Sequence, residues 1–245
     1  MPGADRATNL ARSVKPDPSP FRGRLDEVRE RMARAALRSG REPRSIRIVG
    51  VVKGVPLSAV QEAVAEGLSD LGENRVQEAE DRIEAVGRTL ARWHCVGHLQ
   101  QNKVARAVRL FDWIHSVDGA ELARGLSRRA VLADRRLPVL VQVNVSGEAT
   151  KHGIAPDRLE ELVEQVVSLP GVALEGLMSI GPPVQHGEEA RGTFVRTRTL
   201  RDGVERALGV RLPELSMGMS ADYEVAIEEG STMVRIGRAL FGSRA

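Results

Sequence analysis

Lysine is scarce in this chain. Of its 36 basic residues only Lys15, Lys53, Lys103 and Lys151 are lysines, and arginine fills the other 32 positions. Of these two side chains only lysine readily sheds its proton and condenses with an aldehyde, so each lysine inside a patterned segment is a candidate for amine chemistry. Lys53 ends the apolar run IVGVVKG. Partial desolvation there favours the uncharged amine, the form that makes an imine; a lysine that snorkels to solvent from a strand end has the same sequence surroundings. Two later segments suit a phosphate. LSMGMSADYE places small residues before a helix that Ser220 could cap, and hydroxyls and free N–H groups at such a turn bind anions. TMVRIGRALFG supplies Gly237, where the backbone can approach a ligand, between Arg235 and Arg238. Alone, each is an ordinary loop with a cap; together with Lys53 they are what a phosphorylated aldehyde needs.

Those residues must be brought together by the elements that carry them. Short strand-like runs, several of mixed polarity, alternate with helical ones from Ile46 onward: strands over Ile46–Lys53, Asp70–Asn74, Trp93–Gly97, Trp113–Val117, Pro138–Asn144, Val172–Ile180, Glu214–Met217 and Thr232–Ile236. Helices are expected over 58–66, 76–90, 102–108, around Leu122 and Leu126, and over 156–167, 188–208 and 222–228. Eight βα units in one chain of this length predict a single α/β domain, a (β/α)8 TIM-type barrel; an open doubly wound sheet is the alternative. Polar or reactive residues recur where the strands should finish: Lys53, Asn74, His98, Ser116, Asn144, Ser179, Ser220 and Gly237. In a parallel barrel those ends open on one face, and phosphates often sit after strands seven and eight. A helix precedes the first strand, with Leu25, Val28, Met32, Ala35 and Ala36 on one face and Glu27–Arg31 and Glu30–Arg34 spaced to pair on the other. Residues 1–20, rich in Pro, Ser, Asp and Arg, are expected to form a flexible tail, leaving 21–245 as the barrel.

Composition removes several classes of function. With 245 residues and 42% hydrophobic side chains, the chain can bury one substantial core. No run approaches the roughly 20 apolar residues of a membrane span, and no apolar segment follows the N-terminus, so a soluble, cytoplasmic protein is expected. Net charge is +3, with 33 acidic residues against the basic ones, and aromatic residues make up 3%. That is a mixed, solvated surface with few stacking platforms, which argues against nucleic acid as a partner. A single cysteine, Cys95, excludes an internal disulfide, and the five histidines show no zinc-ligand spacing, so no metal is expected.

The chain resembles the pyridoxal 5′-phosphate (PLP) homeostasis protein family. The resemblance is carried, in order, by VVKGVP, GLSDLGENRVQEAEDR, WHCVGHLQQNK, LFDWIHSVD, VNVSGEATKHGI, LEGLMSI and LSMGMSADYEVAIEEGSTMVRIGRALFG, from about Phe21 to Gly242. It departs at Gly54 and Val55, where the family more often has threonine and a basic residue. The resemblance implies a barrel like the N-terminal domain of alanine racemases and PLP held as a Schiff base on Lys53. It further implies Ser220, Gly237 and Arg238 around the phosphate, Arg235 facing the pyridine nitrogen, and Ser216 and Met217 lining the pocket. Asn74 and His98 would lie near the ring or the pocket entrance, although His98 could instead order the neighbouring loop. Lys151 could be a second amine for transfer, or a surface lysine paired with Glu148.

The function implied is intracellular PLP homeostasis, as a carrier or buffer that passes the cofactor to PLP-dependent apoenzymes, with no catalytic residue. The enzymatic alternative is an amino-acid racemase. Against it, such racemases take a second base, a tyrosine, from another domain, whereas the only tyrosine here, Tyr223, lies beside the phosphate segment. A guanidinium also cannot accept the proton of the ring nitrogen, which leaves PLP a weaker electron sink. A third reading is a barrel that binds phosphorylated metabolites without covalent chemistry, in which Lys53 could be exchanged for arginine. A monomer is expected.

Overall fold

In the computed structural model, which describes residues 19–148 and 151–242, eight parallel strands close into a barrel in sequential order. The strands are β1 (Arg47–Val51), β2 (Asp70–Glu73), β3 (Arg92–Cys95), β4 (Trp113–Val117), β5 (Leu137–Val143), β6 (Val172–Ser179), β7 (Glu214–Ser216) and β8 (Met233–Ile236). Outside them run α1 (Pro20–Arg38), α2 (Leu57–Ala65), α3 (Val76–Val86), α4 (Val104–Leu110), α5 (Ala120–Leu132), α6 (Leu159–Val167), α7 (Arg191–Leu208), α8 (Tyr223–Glu228) and α9 (Arg238–Phe241). The closed barrel is the expected fold, and the open sheet is excluded by the pairing of β1 with both β2 and β8. Among the described residues no helix is long and apolar enough to cross a membrane.

Helix α1 starts at Pro20, where a fixed φ suits the first helical position, and the Ser19 hydroxyl accepts the Arg22 N–H as its cap. Its predicted face of Leu25, Val28, Met32, Ala35 and Ala36 is buried in full, and Phe21 is buried with it. Each large side chain there contributes roughly 1.5–3 kcal/mol on burial. The helix packs on α8 and α9, with the rings of Phe21 and Phe241 5.4 Å apart. On the polar face Arg31 lies 3.8 Å from Glu27 but donates to Glu224 at 2.6 Å, so its main partner is tertiary. The predicted tail falls on residues 1–18, which lie outside the described residues, and on Ser19 and Pro20, which belong to the helix.

The main apolar core lies between the strands and the helices. Inside the barrel the packing is different. A small separate cluster of Val49, Val96 and Met233 shares that space with buried polar groups. Residues 47, 49 and 51 alternate inward along β1, and Lys53 continues the alternation two residues past the strand end into the open mouth. Several predicted strand ends shift by one or two residues. Ser116 does not reach the mouth: it is a buried residue within β4. The helix expected over 76–90 stops at Val86, because Gly87 takes φ +101°. The short α9 was not anticipated; four residues carry too little periodicity to register.

Candidate functional site

Lys53 sits on a tight turn, with Val55 N–H donating to Val52 O at 3.0 Å. Gly54 at φ +68° makes that turn, so the glycine that departs from the family pattern has a backbone role immediately beside the amine. Arg82 from α3 clamps the ends of two strands beneath it, donating to Val52 O at 2.6 Å and lying 3.0 Å from Glu73 Oε1. Burial pushes the Glu73 carboxyl up to about 7, against the pull of the Arg82 guanidinium. Asn74 follows, its N–H donating to Glu73 Oε2 at 3.2 Å. Its main chain packs so close to Gly97 that a Cβ there would stand 2.4 Å from Asn74 O.

Across the mouth, Lys53 and Asn74 share a cavity of roughly 340 Å³ with Ser220, Arg235, Gly237 and Arg238. Small-molecule sites usually occupy about 300–1,000 Å³. The Pro182–Pro183 loop after β6 and Asp222 complete its wall. Ser220 does not cap the helix that follows it. Asp222 occupies the cap position of α8, and the Ser220 hydroxyl instead accepts the Ala239 N–H at 3.2 Å. That bond ties the loop after β7 to the first turn of α9, whose leading N–H groups lack intrahelical partners. Arg238 is exposed at the rim, while Gly237 and Ser220 are half-buried.

Arg235 forms the floor, 5% exposed. It donates to Ser216 O and Ser216 Oγ, both at 2.7 Å, and to Ser179 O at 2.8 Å. Burial lowers its pKa to about 10, which still leaves it charged at neutral pH. Ser216 Oγ in turn meets His115 Nδ1 at 2.9 Å; His115 Nε2 meets His94 Nδ1 at 2.9 Å; and His94 Nε2 meets Asp70 Oδ1 at 2.9 Å. A buried polar chain therefore runs from the opposite end of the barrel to Arg235. Burial lowers the pKa of both histidines, with Asp70 opposing the shift at His94, so this chain is built around neutral imidazoles.

The sequence-predicted residues divide accordingly. Lys53, Asn74, Ser220, Arg235, Gly237 and Arg238 line one cavity. Ser216 and Met217 do not: both are fully buried, Ser216 as a hydrogen-bond partner beneath Arg235 and Met217 in the core. The segment that carries them turns inward before the loop begins. His98 lines adjoining recesses, one shared with Lys53 and one with Lys151 and His152. Lys151 pairs with Glu148 at 2.7 Å, the surface pairing weighed from the sequence. Tyr223 is buried beneath the Arg31 guanidinium, 5.4 Å from ring to cation, away from the cavity. Cys95 is also buried, its thiol pushed up to about 12.

Sequence reasoning missed His94, His115, Asp70 and Asp222. The signal was the two-residue strand period: Trp113 and His115, like His94 and Val96, fall on the inward positions, so a polar side chain there had to enter the barrel. It also treated the histidines as scattered, whereas the ligand atoms of His98, Asp118 and His152 lie within 4.8 Å of one another. A larger cleft, about 590 Å³, opens at the other end of the barrel between Arg29, Arg44, Asp70 and Arg92. It has no lysine, and in this fold the strands' C-terminal face is where barrel chemistry is built, so the smaller cavity is the candidate site.

The alanine racemase N-terminal domain family matches residues 24–245. The chain is 44% identical to the pyridoxal phosphate homeostasis protein of Aquifex aeolicus over 221 residues, covering 90% of this chain and 97% of that one. It is 40% identical to the protein of that name from Escherichia coli K12 over 227 residues, covering 90% and 95%. PipY of Synechococcus elongatus PCC7942, solved with PLP bound, superposes with a TM-score of 0.81 at 36% identity, covering 91% of this chain and all of PipY (100%). An alanine racemase from Clostridium difficile shares the fold alone, with a TM-score of 0.72 at 17% identity; 91% of this chain matches 56% of the racemase.

Proposed function

The chain belongs to the pyridoxal phosphate homeostasis protein family, and from that premise we propose that it binds PLP in the cavity at the barrel mouth and acts as its carrier. The observation that supports this reading is the single cavity in which Lys53 faces Ser220, Gly237 and Arg238 over the buried Arg235. The group fits the donors present: one amine, a cluster of hydroxyl and N–H donors beside a guanidinium, and a second, buried guanidinium. When bound, the cofactor supplies an aldehyde that condenses reversibly with an uncharged primary amine.

The chain's residues then have distinct tasks. Lys53 provides the amine at the open end of β1. Ser220, the first N–H groups of α9 and Arg238 hold the phosphate. Arg235 presents donors only, so a ring nitrogen that faces it keeps its lone pair unprotonated. The chain of Ser216, His115, His94 and Asp70 holds that guanidinium in place. Asn74 lines the wall beside Lys53 and orients the ring.

Holding rather than turning over the cofactor is favoured by the position of Tyr223. The chain's only tyrosine is buried against α1, so it does not supply a second base across the cavity. The reading is of a monomeric cytoplasmic protein that releases PLP to apoenzymes, with Lys151 a surface residue rather than a transfer amine. The test is to mix PLP-loaded protein with a PLP-dependent apoenzyme and, separately, with L-alanine in deuterated water. Recovery of apoenzyme activity without deuterium at the α-carbon is expected. Sustained α-deuteration that disappears in Lys53→Ala would instead establish the racemase reading.

A further inference from the structure

The rims of three consecutive strands carry a cluster that the cofactor reading does not use. His98 lies three residues past β3, Asp118 one residue past β4, and His152 on the segment that folds back along β5. His98 Nδ1 is 3.1 Å from Asp118 Oδ2, and the His98 and His152 rings stack at 3.9 Å with 8° between their planes. All three ligand atoms fall within 4.8 Å of one another. Among the described residues, neither His98 Nε2 nor the His152 ring has another hydrogen-bonding partner.

We propose that His98, Asp118 and His152 form a binding site for a divalent transition-metal cation, Zn²⁺ in the first instance, at the mouth of the barrel. Two imidazoles and one carboxylate are the donor set of open three-ligand sites, with the remaining positions left to water. Two donors at about 2.05 Å from a tetrahedral zinc stand about 3.3 Å apart, close to the His98–Asp118 separation of 3.1 Å. His152 is exposed, and its ligand nitrogen already lies within 4.8 Å of the other two ligand atoms.

The backbone beneath these side chains is already fixed. Gln142 Nε2 donates to His152 O at 2.9 Å, the Ile154 N–H donates to Gln142 O at 2.8 Å, and the Ile154 carbonyl accepts the Asn144 N–H at 2.9 Å. Gly153 takes φ +125°, and a Cβ there would stand 2.6 Å from Asn144 N, so the turn carrying His152 has one tight path. His98 follows Gly97, itself packed on Asn74. His98 also lines the recess that holds Lys53, so a metal held here would adjoin that opening.

The site is tested on the full chain freed of metal with EDTA and of PLP with a competing amine, then titrated with Zn²⁺ by calorimetry and with Co²⁺ by visible absorption. One ion per chain is expected, with d–d bands of a low-coordinate Co²⁺ site. Losing even an outer-shell partner costs about 10–100-fold in metal affinity, so His98→Ala and His152→Ala should each weaken Zn²⁺ binding by more than about tenfold. Asp118→Asn should weaken it as well, while His186→Ala, remote from the cluster, leaves it unchanged. All three ligands are on the rim, and an unchanged thermal midpoint checks that the variants fold. Absence of a stoichiometric ion in the parent protein, or binding that survives His98→Ala and His152→Ala undiminished, would overturn the assignment.

Discussion

Replacing Glu73 by glutamine should change how stability depends on pH. The carboxyl lies at the end of β2 with its side chain fully buried, and burial raises it from 4.5 to about 7 despite Arg82 at 3.0 Å. Between those values the folded protein keeps a proton that the unfolded chain has released. Stability therefore falls as pH rises from about 4.5 to about 7, and levels off above it. At about 1.4 kcal/mol per pH unit, a separation of about 2.5 between 4.5 and about 7 amounts to roughly 3 kcal/mol. His94 and His115 act in the opposite sense: both are lowered by burial, so their contribution grows as pH rises toward the ordinary value of 6.5. Those histidines are common to both proteins, so the difference between parent and Glu73→Gln isolates the carboxyl. Urea unfolding followed by the fluorescence of Trp93 and Trp113, in steps from pH 4.5 to 8, should show the variant gaining about 3 kcal/mol relative to the parent. Parallel profiles would refute the argument, since they would mean that Arg82 keeps Glu73 ionised throughout.

Ser216→Ala should cost about 1–3 kcal/mol by leaving a buried His115 nitrogen and an Arg235 donor unmatched; for a chain of this size that lowers the thermal midpoint by about 2–4 °C per kcal/mol. A shift under a degree would remove the polar chain from the account. Tyr223→Phe should leave stability unchanged or raise it by up to about 1 kcal/mol, because the buried hydroxyl has no partner among the described residues; a loss of PLP retention in this variant would place Tyr223 in the site after all. Arg238→Ala should weaken PLP binding about tenfold in equilibrium dialysis, while pyridoxal, which lacks the phosphate, should bind parent and variant alike.

Much of the barrel could be read from the sequence because short strand-like runs alternate regularly with helices of clear period and end on polar residues. The run Trp113–Val117 was located to the residue, and the residues of the cavity wall were legible because they end strands or open loops. The interior was harder. His94 and His115 sit inside short runs whose other polar residues were read only at strand ends, and only the alternation of a closed barrel turns them toward Arg235. Ser216 was misplaced by one layer for the same reason: its position next to a loop says nothing about which way the side chain faces. Ser220 was assigned to the following helix by proximity, whereas its hydroxyl reaches across to Ala239, a tertiary contact that no local pattern encodes. The gathering of His98, Asp118 and His152 likewise depends on strand neighbours far apart in sequence.

Capture of PLP by Lys53 is open to direct chemical test. The protein is incubated with PLP, reduced with borohydride, digested and mapped by mass spectrometry, alongside Lys53→Arg, which keeps the charge and removes the condensing amine. A single major pyridoxyl adduct on the Lys53 peptide and loss of the visible absorption band in the variant are expected. An adduct confined to Lys103 or Lys151, or a band that persists undiminished in Lys53→Arg, would contradict capture by Lys53.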